Sequence, residues 1–75
     1  MRDKLTNRES QVLKFILKGY SNNEIAKELC ISYDTAKAHV SAILYKMQTN
    51  DKLHLVLKLF NKNILEFINT HDFKQ

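Results

Sequence analysis

The hydrophobic residues of this chain recur mostly at steps of three and four positions, which is the spacing of one face of an α-helix. Short polar stretches divide this pattern into four segments. Proline is absent and glycine occurs once, so strong helix breakers are scarce. The pattern therefore predicts an all-α fold of four helices.

The first predicted helix has polar signals at both ends. Thr6 and Glu9 have the spacing of a capping box, in which the hydroxyl accepts from a backbone amide and the carboxylate returns the bond. Gly19 is placed to adopt the left-handed conformation that ends a helix. Between these signals lies an apolar stripe of Val12, Leu13, Ile16 and Leu17.

The second predicted helix is short and opens on another capping box, formed by Ser21 and Glu24. Its apolar residues are Ile25, Ala26 and Leu29. A tight turn follows, in which we expect Cys30 to be a small buried apolar residue.

The third helix is predicted to start after a Ser32 cap and to run to about Met47. Its buried stripe consists of Ala36, Val40, Ile43 and Met47. At about 100° per residue, the opposite face carries Asp34, Lys37, Ala38, Ser41 and Tyr45. This second face is small and polar, which favours contact over burial.

The fourth helix is predicted to begin at Lys52 after an Asp51 cap and could extend to about Ile68. It has two apolar surfaces. One is a heptad-like row of Leu53, Leu57, Phe60, Ile64 and Phe67, and the other contains Leu55, Val56 and Leu59. One surface is expected to join the core and the row to form a dimer interface, through Leu53, Leu57, Phe60 and Ile64. The alternative is that a single chain buries both.

With 75 residues, the chain is expected to be a single domain over residues 1–75. The formal net charge is +4. Residues 35–62 carry the whole excess, because this range contains five lysines and a single acidic residue, Asp51. Such a concentration favours a polyanionic partner for the middle of the chain. A Lys-rich solvated helix face is the alternative interpretation.

Several classes of protein are disfavoured by what the sequence lacks. The lone Cys30 allows no intramolecular disulfide, and the histidines at positions 39, 54 and 71 are too scattered to form a metal site. No Gly-rich phosphate loop or nucleophile motif occurs, and no apolar run approaches the roughly 18 residues of a membrane span. We therefore expect a cytoplasmic protein that is not an enzyme, with no catalytic residue, cofactor, metal or membrane partner.

Two short helices joined by a tight turn, the first polar at its start and the second with a small polar face, describe a helix-turn-helix. In such a unit the first helix lies across the sugar-phosphate backbone with its amino-terminal amides towards a phosphate. The second helix enters the major groove, where close approach to the bases requires modest side chains.

Specific motifs strengthen this interpretation. The chain contains Leu5-Thr6-Asn7-Arg8-Glu9, Val12-Leu13, Gly19, Ser21-Asn22-Asn23-Glu24-Ile25-Ala26 and a segment with Ile31, Ser32, Thr35, Lys37, His39, Ile43 and Lys46. From residue 5 to about residue 57 it resembles the LuxR/GerE-type DNA-binding domain of bacterial quorum-sensing receptors and response regulators. It departs from the usual family residues at Ala36, Asn23, Lys52 and the Gln48-Thr49 pair, which stands in place of Gly-Val. The resemblance implies three core helices plus a dimerisation helix, like a winged helix without its wing.

The resemblance also implies individual contacts. Base edges would be contacted by Lys37, Ala38 and Ser41. Phosphates would be contacted by Ser21, Asn22, Asn23, Thr35, Lys46 and Lys52. Structural alternatives are that Thr35 reinforces the first turn of its helix and that Lys46 pairs with Glu9. We expect His39 to be structural and Tyr45 to cover the helix end, with stacking on a sugar as the alternative for Tyr45.

The resulting hypothesis is a transcriptional regulator that binds double-stranded DNA sequence-specifically as a two-fold homodimer, with the third helix in the major groove. RNA polymerase is a further candidate partner, and no small-molecule ligand is expected in this domain. Residues 61–75 lie past the family pattern and are expected to be a helical extension. The alternative hypothesis is a protein-interaction module that keeps the fold and sequesters another regulator.

Overall fold

The computed structural model of the protein describes residues 4–60, which form helices joined by short turns and contain no strand. The first three helices are α1 (Asn7–Leu17), α2 (Asn22–Leu29) and α3 (Tyr33–Lys46). A fourth, α4, is described over residues 52–60. The prediction of an all-α four-helix fold is confirmed. The predicted extension at 61–75, with Ile64 and Phe67, lies outside the described residues.

Both predicted capping boxes are formed. At the start of α1, the Glu9 backbone N–H donates to Thr6 Oγ1 at 3.1 Å, and Glu9 Oε1 accepts from the Thr6 backbone N–H at 2.9 Å. At the start of α2, the same two bonds join Ser21 and Glu24 at 3.2 Å and 2.7 Å. Each box satisfies backbone donors that have no partner within the helix, so local residues determine where both helices begin.

The predicted caps of α3 and α4 are also present. Ser32 Oγ accepts from the Thr35 backbone N–H at 3.0 Å, and Asp51 Oδ1 accepts from the His54 backbone N–H at 2.8 Å. A second bond joins the same turn, since the backbone N–H of Asn50, the residue before the cap, donates to His54 Nδ1 at 3.0 Å. His54 therefore supplies an acceptor at the start of α4, a role that the sequence pattern did not predict.

Three helix ends use the left-handed backbone conformation. Gly19 has φ +88°, as its predicted capping role requires, and Cys30 and Gln48 have φ +56° and +57°. For residues with a Cβ this conformation costs roughly 1–2 kcal/mol. Cys30 is exposed, so the prediction that it is buried is wrong. The chain reverses at Cys30, and the next residue, Ile31, packs against the core instead.

The core is centred on α3, which packs against both α1 and α2. Its buried residues are Val12, Ile16, Ile25, Ala26, Ala36, Val40, Ile43 and Leu55. The stripe predicted for α3 is confirmed, with Met47 packed at its edge. Leu17, which the sequence pattern placed on the apolar stripe of α1, is exposed at the helix end.

The fourth helix is attached to this core by one of its two apolar surfaces. Leu55 is fully buried, and the half-buried Val56 and Leu59 pack beside it. Lys58 adds a tie between helices, because its Nζ donates to the Met47 carbonyl oxygen at 2.9 Å and so caps the end of α3. Within the described part of the chain, nothing covers the other surface.

Candidate nucleic-acid interface

The outward face of α3 consists of Asp34, Lys37, Ala38, Ser41 and Tyr45, and all five side chains are exposed. The opposite face of the same helix is buried, so packing on α1 and α2 fixes which side of α3 meets solvent. The prediction that these five residues share one exposed face is confirmed. The face belongs to a helix of 14 residues, which is about 21 Å long.

Side-chain size and chemistry on this face suit contact with a base edge. Ala38 and Ser41 are short and let the backbone of α3 approach another surface closely. The Lys37 ammonium is a donor suited to the acceptor pair of guanine or to a phosphate, and the Ser41 hydroxyl can donate or accept. The Ala38 methyl can contact a thymine methyl.

The start of α2 supplies a second group of predicted contacts. Ser21 and Asn23 are exposed, whereas Asn22 is half-buried and its Oδ1 is buried without a hydrogen-bond partner. Phosphate oxygens only accept hydrogen bonds, so a contact there would use backbone amides, the Ser21 hydroxyl proton or Asn22 Nδ2. Hydrogen bonds from Ser21 lower the pKa of the neighbouring Glu24 carboxyl, which favours its charged form beside these donors.

Thr35 lies in the first turn of α3 and has the structural role that was its alternative interpretation. Its backbone N–H donates to Ser32 Oγ, and its own Oγ1 accepts from the Ser32 hydroxyl at 2.9 Å. A threonine hydroxyl that accepts one bond can still donate its proton. A phosphate contact from Thr35 is compatible with this arrangement and stays a prediction.

Lys46 is held by acceptors within the domain. Its Nζ lies 2.7 Å from Glu9 Oε1 and 3.3 Å from the Lys4 carbonyl oxygen. The Glu9 side chain is buried, which makes its pairing with Lys46 important for the folded state. The ion-pair alternative is therefore observed. A phosphate contact from Lys46, which would draw the ammonium away from a buried carboxylate, stays a prediction.

We expect the pair of Glu9 and Lys46 to make stability fall in acid. The bond from Lys46, with one from the Thr6 amide, lowers the pKa of Glu9 below its ordinary value of 4.5. A carboxyl whose pKa is lower in the folded state contributes stability that is complete well above 4.5 and is lost as pH falls through the lowered pKa. Thermal unfolding from pH 7 to pH 3 measures this loss.

The replacement Glu9→Gln provides the comparison, because it removes the titrating group with little change in size. We expect this variant to be less stable at pH 7 and to lose less stability on acidification. Glu24→Gln is the comparison at an exposed capping box: hydrogen bonds from Ser21 also lower the pKa of Glu24, but no lysine is hydrogen-bonded to it, so we expect this variant to change the pH dependence less than Glu9→Gln does. Equal pH dependence of wild type and Glu9→Gln would contradict the role assigned to the pair.

Lys52 is the last predicted phosphate contact and opens α4. Its side chain is half-buried, and burial lowers the pKa of its ammonium. Among residues 4–60, no group of three or more His, Cys, Asp or Glu side chains is placed to hold a metal ion. No helix in that range is long and apolar enough to cross a membrane.

Comparison with known proteins identifies the domain. Residues 3–59 match the family model described as bacterial regulatory proteins, luxR family. The chain belongs to this family. Membership in the luxR family means that this is a helix-turn-helix domain that functions in DNA-binding transcriptional regulation. The exposed outward face of α3 agrees with that function. The match covers all four helices as far as residue 59.

Individual relatives are also similar. Response regulator protein VraR from Staphylococcus aureus, from Staphylococcus saprophyticus and from Staphylococcus epidermidis is in each case 44% identical over 62 residues. The aligned part is 83% of this chain and 30% of each relative. The chain thus spans about 30% of the length of these curated relatives.

Proposed function

We propose that this domain binds double-stranded DNA sequence-specifically with α3 in the major groove. The observation that carries the proposal is the division of α3 into a buried stripe and an exposed face on which the short side chains of Ala38 and Ser41 lie beside Lys37. Lys37, Ala38 and Ser41 would contact base edges, because they are exposed on the amino-terminal and middle parts of α3.

Phosphate contacts would position the domain without reading sequence. Ser21 and Asn23 at the start of α2 are the best-supported of these contacts, because both are exposed beside amides that have no acceptor within the helix. Asn22, Thr35, Lys46 and Lys52 are weaker candidates because each is partly buried or already bonded within the domain.

A two-fold dimer through α4 completes the proposal. Leu53, Leu57 and Phe60 are 68%, 53% and 43% exposed, and their spacing of four and three matches a helix-packing seam. Ile64 continues that spacing in the sequence. Two copies would place two α3 helices on successive half-sites and raise affinity through avidity.

The relatives extend the proposal to the whole protein. They are named response regulators, so the domain would be the output part of a regulator that controls transcription by RNA polymerase from its DNA site. The apolar row on α4 is also the feature that favours the second candidate function, a protein-interaction module that sequesters another regulator.

Selection of bound sites from random DNA duplexes tests the proposal. We expect enrichment of a paired half-site, with binding that weakens steeply and log-linearly as salt rises because phosphate contacts release counterions. An enriched single half-site would keep DNA binding and refute the dimer. No enrichment together with salt-insensitive or absent binding would refute DNA binding and favour the protein-interaction module.

A further inference from the structure

Asp34 is an acidic residue on the outward face of α3 that the contacts proposed above do not use. It is exposed in the first turn of the helix, two positions after the Ser32 cap. Its carboxylate makes no hydrogen bond or ion pair with any residue in the described range 4–60. A negative charge in the first turn stabilises a helix modestly through the helix dipole, on any side of the helix. Helix stability therefore does not explain why Asp34 lies on the outward face.

Helix geometry places Asp34 near the middle of that face. Ser41 is seven positions further on, so the two residues lie within about 20° of one line along the helix and about 10 Å apart along its axis. Lys37 lies about 60° to one side of Asp34, and Ala38 lies about 40° to the other side. The carboxylate thus lies on the part of the surface that would meet the base edges.

The size of the neighbouring side chains allows this carboxylate to reach a base. An aspartate side chain is short, so it contacts bases only where the backbone of α3 lies close to the groove floor. Ala38, one turn further along, permits that approach because a methyl group adds little bulk. In a helix-turn-helix, the amino-terminal residues of the second helix contact base edges. Asp34 is therefore in the part of α3 that would lie deepest in the groove.

The chemistry of a carboxylate restricts what it can contact there. An ionised carboxylate accepts hydrogen bonds and donates none. In the major groove the only donors are the amino groups at cytosine N4 and adenine N6, whereas guanine and thymine present acceptor oxygens. A carboxylate that loses water without gaining a donor is strongly unfavourable. Asp34 would therefore be stabilised opposite an amino group and repelled by a carbonyl oxygen.

This preference complements that of Lys37, whose ammonium donates to acceptors. The two charged side chains lie on one exposed face, three positions apart. A lysine is attracted to the phosphates of every sequence, because phosphates carry negative charge. A carboxylate is repelled by them, so it lowers affinity for any sequence that presents no amino group at its position. Such repulsion is a means of discriminating between binding partners.

We infer that Asp34 determines sequence specificity by accepting a hydrogen bond from the exocyclic amino group of a cytosine or an adenine in the major groove. The inference deepens the proposed function and rests on it. Asp34 would strengthen discrimination between sequences and weaken binding to random DNA.

The first test repeats the site selection with wild type and with Asp34→Ala, each as the full 75-residue chain. We expect one position of each half-site to lose its base preference in the variant, while the other positions keep theirs. Anisotropy titrations then compare the selected duplex with one changed at that position. Wild type should bind the changed duplex about fivefold to 150-fold more weakly, and Asp34→Ala should bind the two almost equally. Binding of Asp34→Ala to a random duplex should be tighter than that of wild type, because a repelled charge is gone.

A second test changes the amino group itself. N4-methylcytosine or N6-methyladenine at the identified position replaces the amino hydrogen that faces the major groove. Wild type should bind the duplex with one of these bases more weakly, and the base that has this effect identifies the amino group. Asp34→Ala should bind the methylated and unmethylated duplexes equally.

Glu28→Ala is the matched control, because Glu28 is an exposed acidic residue of α2. It removes the same charge, and we expect it to keep both the base preference and the response to methylation. Thermal unfolding of all variants measures the contribution of the helix dipole. Loss of that contribution would weaken binding to every duplex alike, so it cannot abolish the preference at a single position.

The contrary outcomes are distinct. If wild type selects a site and Asp34→Ala selects the same site with equal preference at every position, the inference is wrong and the proposed function stands. The same holds if methylation at the identified position leaves binding by wild type unchanged. If the wild-type chain selects no site, the proposed function and this inference are overturned together.

Discussion

Replacing Lys37 with alanine should weaken binding to a selected duplex by on the order of 1–3 kcal/mol and relax the preference at one position of each half-site. Lys37 is exposed on the outward face of α3, and its ammonium can donate to base acceptors in the major groove. Loss of this donor removes a base-dependent contact, so random duplexes should be affected less. Anisotropy titrations on selected and random duplexes at one salt concentration measure the difference.

Lys14→Ala is the matched control for this change. Lys14 is also an exposed helical lysine, but it lies on α1, away from the face of α3. We expect its replacement to leave sequence preference unchanged. Equal weakening of Lys37→Ala on selected and random duplexes would show that Lys37 contacts a phosphate and reads no base. In that case the salt slope should also fall by about one.

Helix starts were predictable because their signals are local. The capping boxes at Thr6 and Ser21 and the caps at Ser32 and Asp51 each depend on residues within three positions, and all four are formed. The bond that His54 accepts was missed because the capping-box template pairs glutamate or glutamine with the cap amide, whereas His54 accepts from Asn50, the residue before the cap. A histidine nitrogen is also an acceptor, so a wider template would have found it.

Helix ends were less predictable because two of them contradict residue preference. Gly19 is the expected residue for a positive φ, but Cys30 and Gln48 adopt the same conformation against their steric preference. The resembled family usually has glycine at the position of Gln48. The signal for a positive φ there therefore came only from comparison with the family motif and not from the residue itself. The surrounding helices fix these turns, and a single sequence does not display that constraint.

Long-range bonds could be only partly foreseen. The pair of Lys46 and Glu9 joins residues 37 positions apart, and Lys58 reaches the Met47 carbonyl across the turn between α3 and α4. Helical periodicity predicts which residues share one face of a helix, but it does not predict which lysine forms a hydrogen bond with a distant acceptor. For this reason the outward face of α3 was predicted well, whereas the contacts of the lysines around it were not.

Leu55→Ala should destabilise the domain by about 2–5 kcal/mol, which is the range for removal of a buried leucine side chain. Leu55 is fully buried and joins α4 to the core formed by the first three helices. A domain of 75 residues has roughly 4–11 kcal/mol of stability in total. The change therefore removes a large share of it, and urea denaturation measures the effect.

Leu53→Ala is the matched control on the same helix, two positions away and 68% exposed. In the monomer it should change stability by no more than about 0.5 kcal/mol, because little buried surface is lost. In the proposed dimer, Leu53 lies at the interface. Leu53→Ala should therefore weaken self-association, which sedimentation measures. It should also lower affinity for paired half-sites more than affinity for a single half-site. If Leu53→Ala also unfolded the monomer at low concentration, the row on α4 would belong to the core of a single chain. The contrast between these two leucines thus separates the surface that holds α4 in the fold from the surface available to a second copy.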